Sequence, residues 1–138
     1  MKANNPDIYN FSVPGHPIGK EQHRTSKHIS YTKKGKPYHP RYTPQKTNAY
    51  KNLIRVCFLK LYDKLDDKKS RWWLKLDIFY KGRCDYDKVA NAVNDALSGF
   101  IWHDDAQIDE AVIIKFKVTG KNTDTVFKER IEIFAERL

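Results

Sequence analysis

From Tyr50 to Leu65 the apolar residues Tyr50, Leu53, Ile54, Cys57, Phe58, Leu61 and Leu65 recur at spacings of three and four, which places them on one face of an amphipathic helix. Thr43 and Pro44 supply a hydroxyl cap and a first-turn proline, and Asp66-Asp67 with Lys68-Lys69 mark the exit. Such a helix has to be covered, and the flanking sequence changes period to supply the cover. Tyr9, Phe11 and Val13 alternate with polar residues before Pro14-Gly15, and Trp72, Leu74, Leu76, Ile78 and Tyr80 alternate before Gly82, as half-buried strands do. Val89, Ala92, Val93, Ala96 and Leu97 form a second helical stripe, with Asp87 expected as its N-cap and Gly99 just past its end. Ile114, Phe116 and Val118, then Ile131, Ile133 and Ala135, alternate on either side of a polar stretch from Gly120 to Thr125, which predicts an antiparallel pair. The order β-α-β-α-β-β predicts an α+β fold, a mixed and largely antiparallel sheet with two main helices packed on one face. At 138 residues without repeats or a linker, the chain reads as a single domain, 1–138.

The formal charge of +9 is segregated. Through Arg55 the chain carries 11 Lys and Arg against 2 acids, and the remainder carries 15 of each. A one-sided excess favours a polyanion, because each phosphate neutralised releases condensed counterions. Between residues 20 and 42 there is almost no aliphatic residue, yet Lys20, Arg24, Lys27, Lys33, Lys34, Lys36 and Arg41 are interspersed with Tyr31, Tyr38 and Tyr42, and Lys46 follows. This pattern suits nucleic acid, with cations for phosphates and rings for bases. The segment cannot bury itself, so order is expected to depend on a partner, although Tyr31 to Lys36 could close a hairpin tip.

Several classes lack support. A 40% hydrophobic composition can build a core without disulfides, and Cys57 and Cys84 form no CxxC pair, so both thiols are expected to be free. No apolar leader and no run of about 18 apolar residues appears, so a soluble, cytoplasmic protein is expected. His16, His23, His28, His39 and His103 lack zinc spacing, and only His103 lies beside acids, where it either assists proton transfer or sits at the surface. No GxSxG, Walker or GxGxxG motif is found, and no nucleotide cofactor is expected.

The acids that could carry chemistry flank the second helix. Asp85-x-Asp87 precedes it, and in an extended turn residues i and i+2 project the same way, so both carboxylates could face one ion. Asp104-Asp105 follows the loop Phe100 to His103. Phosphodiester cleavage needs an activated water and relief of growing charge, and hard Mg²⁺ does both with a few oxygen ligands from separate segments. Each pair taken singly also reads as ordinary helix or turn capping. The helix ends lie about 15 Å apart by the helical rise, so the second pair reaches the first only if the loop folds back.

The stretches FSVPGHPIGK (11–20), YTPQKTNAY (42–50) and DYDKVANAVNDALSGFIWHDDAQI (85–108) together resemble RusA-type Holliday junction resolvases. The resemblance implies that Asp85, Asp87 and Asp105 bind metal, with Asp104 as a possible addition. It implies Mg²⁺, with Mn²⁺ as a substitute, and a homodimer that cuts two strands symmetrically across a four-way DNA junction in recombination and repair. The family pattern Asp-x-Asp-Asn-x-x-Lys is changed here: Asn91 stands at the lysine position and Lys88 at the asparagine position. Three apart on a helix, the two share a face, so Lys88 could still direct its ammonium at the scissile phosphate. Two other readings use the same residues: a non-catalytic nucleic-acid-binding module in which the acids are only caps, and a metal nuclease for flaps or ordinary duplex.

Overall fold

The computed structural model describes residues 6–20, 24–42, 44–118 and 128–138, with the side chains of Arg24 and Tyr42 outside the description. Strand β1 (Ile8–Pro14) buries Tyr9, Phe11 and Val13 and leaves the intervening residues exposed. Gly15, at φ 98°, then turns the chain in a conformation that a Cβ would strain. Helix α1 (Gln45–Leu59) buries Thr47, Tyr50, Ile54 and Phe58. Strand β6 (Trp72–Tyr80) buries Trp72, Leu74, Leu76 and Ile78, and α2 (Tyr86–Leu97) buries Val89, Ala90, Ala92, Val93, Ala96 and Leu97. Strands β7 (Ile108–Lys117) and β8 (Arg130–Arg137) complete an α+β fold with a mixed four-stranded sheet, ordered β1-β8-β6-β7. The helices pack on each other and their apolar faces join the buried side of the sheet in one core.

The basic segment folds into two short ribbons. β2 (Arg24–Thr25) pairs with β5 (Arg41–Tyr42), and β3 (Ser30–Tyr31) pairs with β4 (Pro37–Tyr38), all antiparallel. The expected tip exists: the Thr32 N–H donates to the Lys36 carbonyl (2.9 Å), and Gly35 takes φ 82°. Tyr31 and Tyr38 are exposed, and none of their neighbours in the ribbon is buried.

Four expectations are corrected. The strands read from 114–118 and 131–135 do not pair with each other. β8 lies between β1 and β6, antiparallel to both, while β7 pairs with β6 in parallel at the sheet edge. The α2 crossover returns the chain to the starting end of β6, which makes β7 parallel to it. β8 alternates buried and half-buried residues and so suits an interior position. On β7, Ile114 and Phe116 are 38% and 41% exposed, as an edge strand permits. Helix α1 ends at Leu59 rather than near Leu65. Tyr62 closes the last turn, its N–H donating to the Phe58 carbonyl (3.0 Å), and packs edge-on against Tyr9 (4.9 Å) while donating its hydroxyl to the Asn10 carbonyl (3.1 Å). Leu65 and Asp67 then bond to the carbonyls of Phe100 and Ile101. Leu53, within the helix, and Leu61, beyond its end, both lie outside the buried face. Asp85 rather than Asp87 occupies the N-cap position of α2, and its carboxylate makes no cap hydrogen bond. Pro44, expected in the first turn of α1, instead occupies its N-cap position with no side-chain cap hydrogen bond. Thr43 and the Gly120 to Thr125 turn lie outside the described residues.

Candidate functional site

β6, α2 and β7 form one strand, helix, strand unit that presents acids at both ends of α2. At the start, Asp85 lies 3.5 Å from the Lys88 ammonium and 3.7 Å from the Arg83 guanidinium. Asp87 is exposed in the first helical turn, where the macrodipole favours a carboxylate. The turn feeding this end is tied to the sheet from below. Lys115 on β7 donates to the Cys84 carbonyl (2.5 Å) and lies over the Tyr80 ring (4.6 Å). A cleft of about 240 Å³ opens beside it, and its lining includes His16, Lys46, Arg83, Asp85 and Lys88.

At the other end, Gly99 (φ 84°) lets the chain leave α2, and Ile101 and Trp102 plunge into the core with no exposure. Asp104 caps the single 3-10 turn Asp105–Gln107, its carboxylate accepting from the Ala106 N–H. The capping reading of this acid is therefore realised. Gln107 is 9% exposed and binds four backbone groups. Its amide nitrogen donates to the carbonyls of Asp67 and Ser70 (2.7 and 2.9 Å), and its oxygen accepts from the N–H of His103 and of Asp104 (both 2.9 Å). Gln107→Leu should therefore cost about 2–3 kcal/mol in urea unfolding, since the Asp104 N–H and the Ser70 carbonyl lose their partner, while the His103 N–H and the Asp67 carbonyl keep each other (3.0 Å). A loss under about 0.5 kcal/mol would mean that these groups find other partners.

The Ala106 N–H, followed by a hydrogen bond with Asp105, holds Asp104 below the usual carboxylate range. The hydrogen bond with Asp104 pushes Asp105 up, as do burial and the charges of Asp104 and Asp95, with Lys20 opposing. Asp105 therefore feels the charges of Asp95 and Lys20. The Lys20 ammonium is 2.6 Å from Asp95, and Lys51 is 3.9 Å from the same oxygen. His103 is at the surface with Nδ1 2.9 Å from Asp66.

The expected site residues thus fall into three sets. Asp85, Asp87, Lys88 and Asn91 lie at or on the first half of α2, Asn91 and Lys88 both exposed on it. Asp104 and Asp105 lie beyond its last turn. Lys27, Lys33, Lys34, Lys36 and Arg41 are exposed along the ribbons, and Lys46 is exposed at the start of α1. Lys20 is separate from the ribbons and is docked on α2. Arg83 and Lys115 carry no sequence signal for a site role, and Asp95 enters the sequence reading only as part of the 85–108 stretch that resembles the family, with no site role. For Asp95 a signal existed, because 88, 91 and 95 recur at helical spacing on the polar side of α2.

The donors are all carboxylates, the hard oxygen chemistry that Mg²⁺ or Mn²⁺ takes. The crowding at Asp95, Asp104 and Asp105 is what a cation would relieve. Among the described residues no three His, Cys, Asp or Glu side chains stand close enough to share one ion. The donor chemistry fits the ion; the side chains as placed do not yet enclose it. Among the described residues, too, no helix is long and apolar enough to cross a membrane.

No curated protein matches the chain. The family model for endodeoxyribonuclease RusA matches residues 14–132, a span that takes in the β1 exit, the ribbons, both helices and both acidic ends of α2. The chain belongs to the RusA endodeoxyribonuclease family.

Proposed function

We propose that this protein resolves Holliday junctions by paired, metal-dependent cleavage of opposing strands, acting as a homodimer on four-way DNA. The observation that carries the reading is the placement of exposed acids at both ends of α2, beside cations, in a chain of an endodeoxyribonuclease family. Asp85, Asp87 and Asp105 are the carboxylates that would hold Mg²⁺ or Mn²⁺, which requires the loop carrying Asp105 to close toward the start of α2, since the two ends do not share an ion as they stand. When bound, the ion supplies an activated water and offsets charge on the phosphate.

The chain's own residues do the rest. Lys88 offsets Asp85 and adds positive charge at the helix start. Lys46 and Arg83 line the adjoining cleft, where a flanking phosphate would find charge-assisted partners. The ribbon residues Lys27, Lys33, Lys34, Lys36 and Arg41 bind backbone phosphates without reading sequence, and Tyr31 and Tyr38 offer faces for unpaired bases at the branch point.

The test is cleavage of an end-labelled four-way junction, with a flap and a linear duplex alongside, in Mg²⁺ and in chelator. The expected result is paired nicks near the branch point in Mg²⁺ alone, with the junction preferred by about tenfold or more over the other substrates, a difference of roughly 1.4 kcal/mol. Binding without cutting in any divalent cation would leave only a nucleic-acid-binding module. Equal cutting of flaps or duplex would make it a nuclease of wider range.

A further inference from the structure

Lys20 is the last described residue before the basic ribbons, and its position in the sequence groups it with them. The structure separates it. Its backbone N–H donates to the Lys88 carbonyl of α2 (2.8 Å), which is a strut between the segment leaving β1 and the first turn of the helix. Gly19 makes the approach possible: a Cβ there would sit 2.6 Å from the Lys88 Cβ. From this anchor the side chain runs toward the C-terminal end of α2, and its ammonium reaches Asp95 at 2.6 Å. Residues 88, 91 and 95 lie on one helix face, so Lys20 lies along the stretch that carries Asn91.

That course connects the two acidic groups. The backbone of Lys20 is fixed one turn from Asp85 and Asp87, and its ammonium ends beside Asp95, from where its charge acts on Asp105. Lys88 does not fill this place, because its ammonium lies at the helix start near Asp85. Lys20 is only about one-third exposed and is held at both its backbone and its ammonium, so it gives up less freedom on meeting a phosphate than a ribbon lysine does. Asp95 also has Lys51 as a second cation at 3.9 Å, so release of Lys20 toward an incoming phosphate does not leave that carboxylate unpaired.

We propose that Lys20 is a catalytic residue of this nuclease, the ammonium that contacts the scissile phosphate, carried to the exposed face of α2 by the Gly19–Lys88 contact and held there by Asp95. The proposal rests on the endonuclease reading of the same site. Lys20 then balances charge that grows on the phosphate oxygens.

The test pairs the side chain with the phosphate it is said to touch. Binding of four-way junctions is measured in chelator, where no cleavage occurs, using a set in which one phosphate near the branch point at a time is replaced by an uncharged methylphosphonate. Wild type should lose about tenfold in affinity at the cleaved phosphate, as for a charge-assisted hydrogen bond. Lys20→Met should lose less than about twofold at that phosphate and keep the wild-type pattern elsewhere. Lys51→Met, which removes the other partner of Asp95, should keep the full wild-type penalty. Lys20→Met should also cut junctions in Mg²⁺ about 100-fold more slowly, with Lys20→Arg recovering part of the loss.

Equal penalties at every phosphate in wild type and Lys20→Met would overturn the proposal, as would loss of the effect in Lys51→Met. The endonuclease reading fails separately, if wild type binds but does not cut. A coupling between Lys20 and one phosphate in that case would keep the contact but end its catalytic role.

Discussion

Asp87→Asn should abolish junction cleavage, by about 10³-fold or more, while the junction is bound as tightly as by the unchanged protein or more tightly. The size follows from what a hard cation loses when a charged oxygen becomes an amide oxygen beside a phosphate, several kcal/mol at about 1.4 kcal/mol per tenfold in rate. The direction of the binding change follows from charge. Asp87 is exposed in the first turn of α2, and removing a carboxylate close to phosphates removes repulsion. Folding should be little affected, because the residue supports no cap hydrogen bond in the described structure and only the macrodipole term of about 0.3–1 kcal/mol is lost. The readouts are single-turnover cleavage in Mg²⁺ and junction affinity in chelator. Loss of both together would count against a metal role for this residue. Asp105→Asn should behave in the same way if its carboxylate serves the same cation, although its present neighbours are Asp104, Asp95 and Lys20.

Trp102→Ala should lower stability by about 3–5 kcal/mol, a large part of the roughly 5–15 kcal/mol that holds a domain together. Trp102 is fully buried and meets Trp72 edge-on at 6.4 Å. Its indole N–H has no partner among the described residues, so truncation costs packing and leaves a cavity, with no hydrogen bond lost. The backbone around it closes the loop: the Gly99 N–H donates to the Trp102 carbonyl (2.7 Å), and the His103 N–H donates to the Asp67 carbonyl (3.0 Å). The same loop presents Asp104 and Asp105, so cleavage should fall even at temperatures where the variant remains folded. Urea denaturation measures the first effect, and a loss below about 1 kcal/mol would show that neighbours collapse into the space.

Elements with local causes are legible in the order of residues alone. The alternation of Tyr9, Phe11 and Val13, and of Trp72 through Ile78, identifies strands because one face of each must be buried. The stripe Val89, Ala92, Val93, Ala96 and Leu97 identifies α2 for the same reason. The overall α+β class follows from their order. The length of α1 does not, because Leu61 and Leu65 keep helical spacing while Tyr62 and the Phe100–Ile101 carbonyls offer better partners off the helix. Asp85, Asp87, Asp104 and Asp105 can be named as candidates from residue type and spacing.

Where those acids lie relative to one another was settled only by tertiary packing. Periodicity describes one element at a time, and it carried no information that β8 would enter between β1 and β6 or that β7 would run parallel to β6. Those pairings put Asp105 at the end of α2 opposite Asp85, and they bring Lys20 and Asp95 together over 75 residues of sequence. Backbone partners and charge neighbours of that separation depend on burial summed over the whole core, which no window of sequence contains.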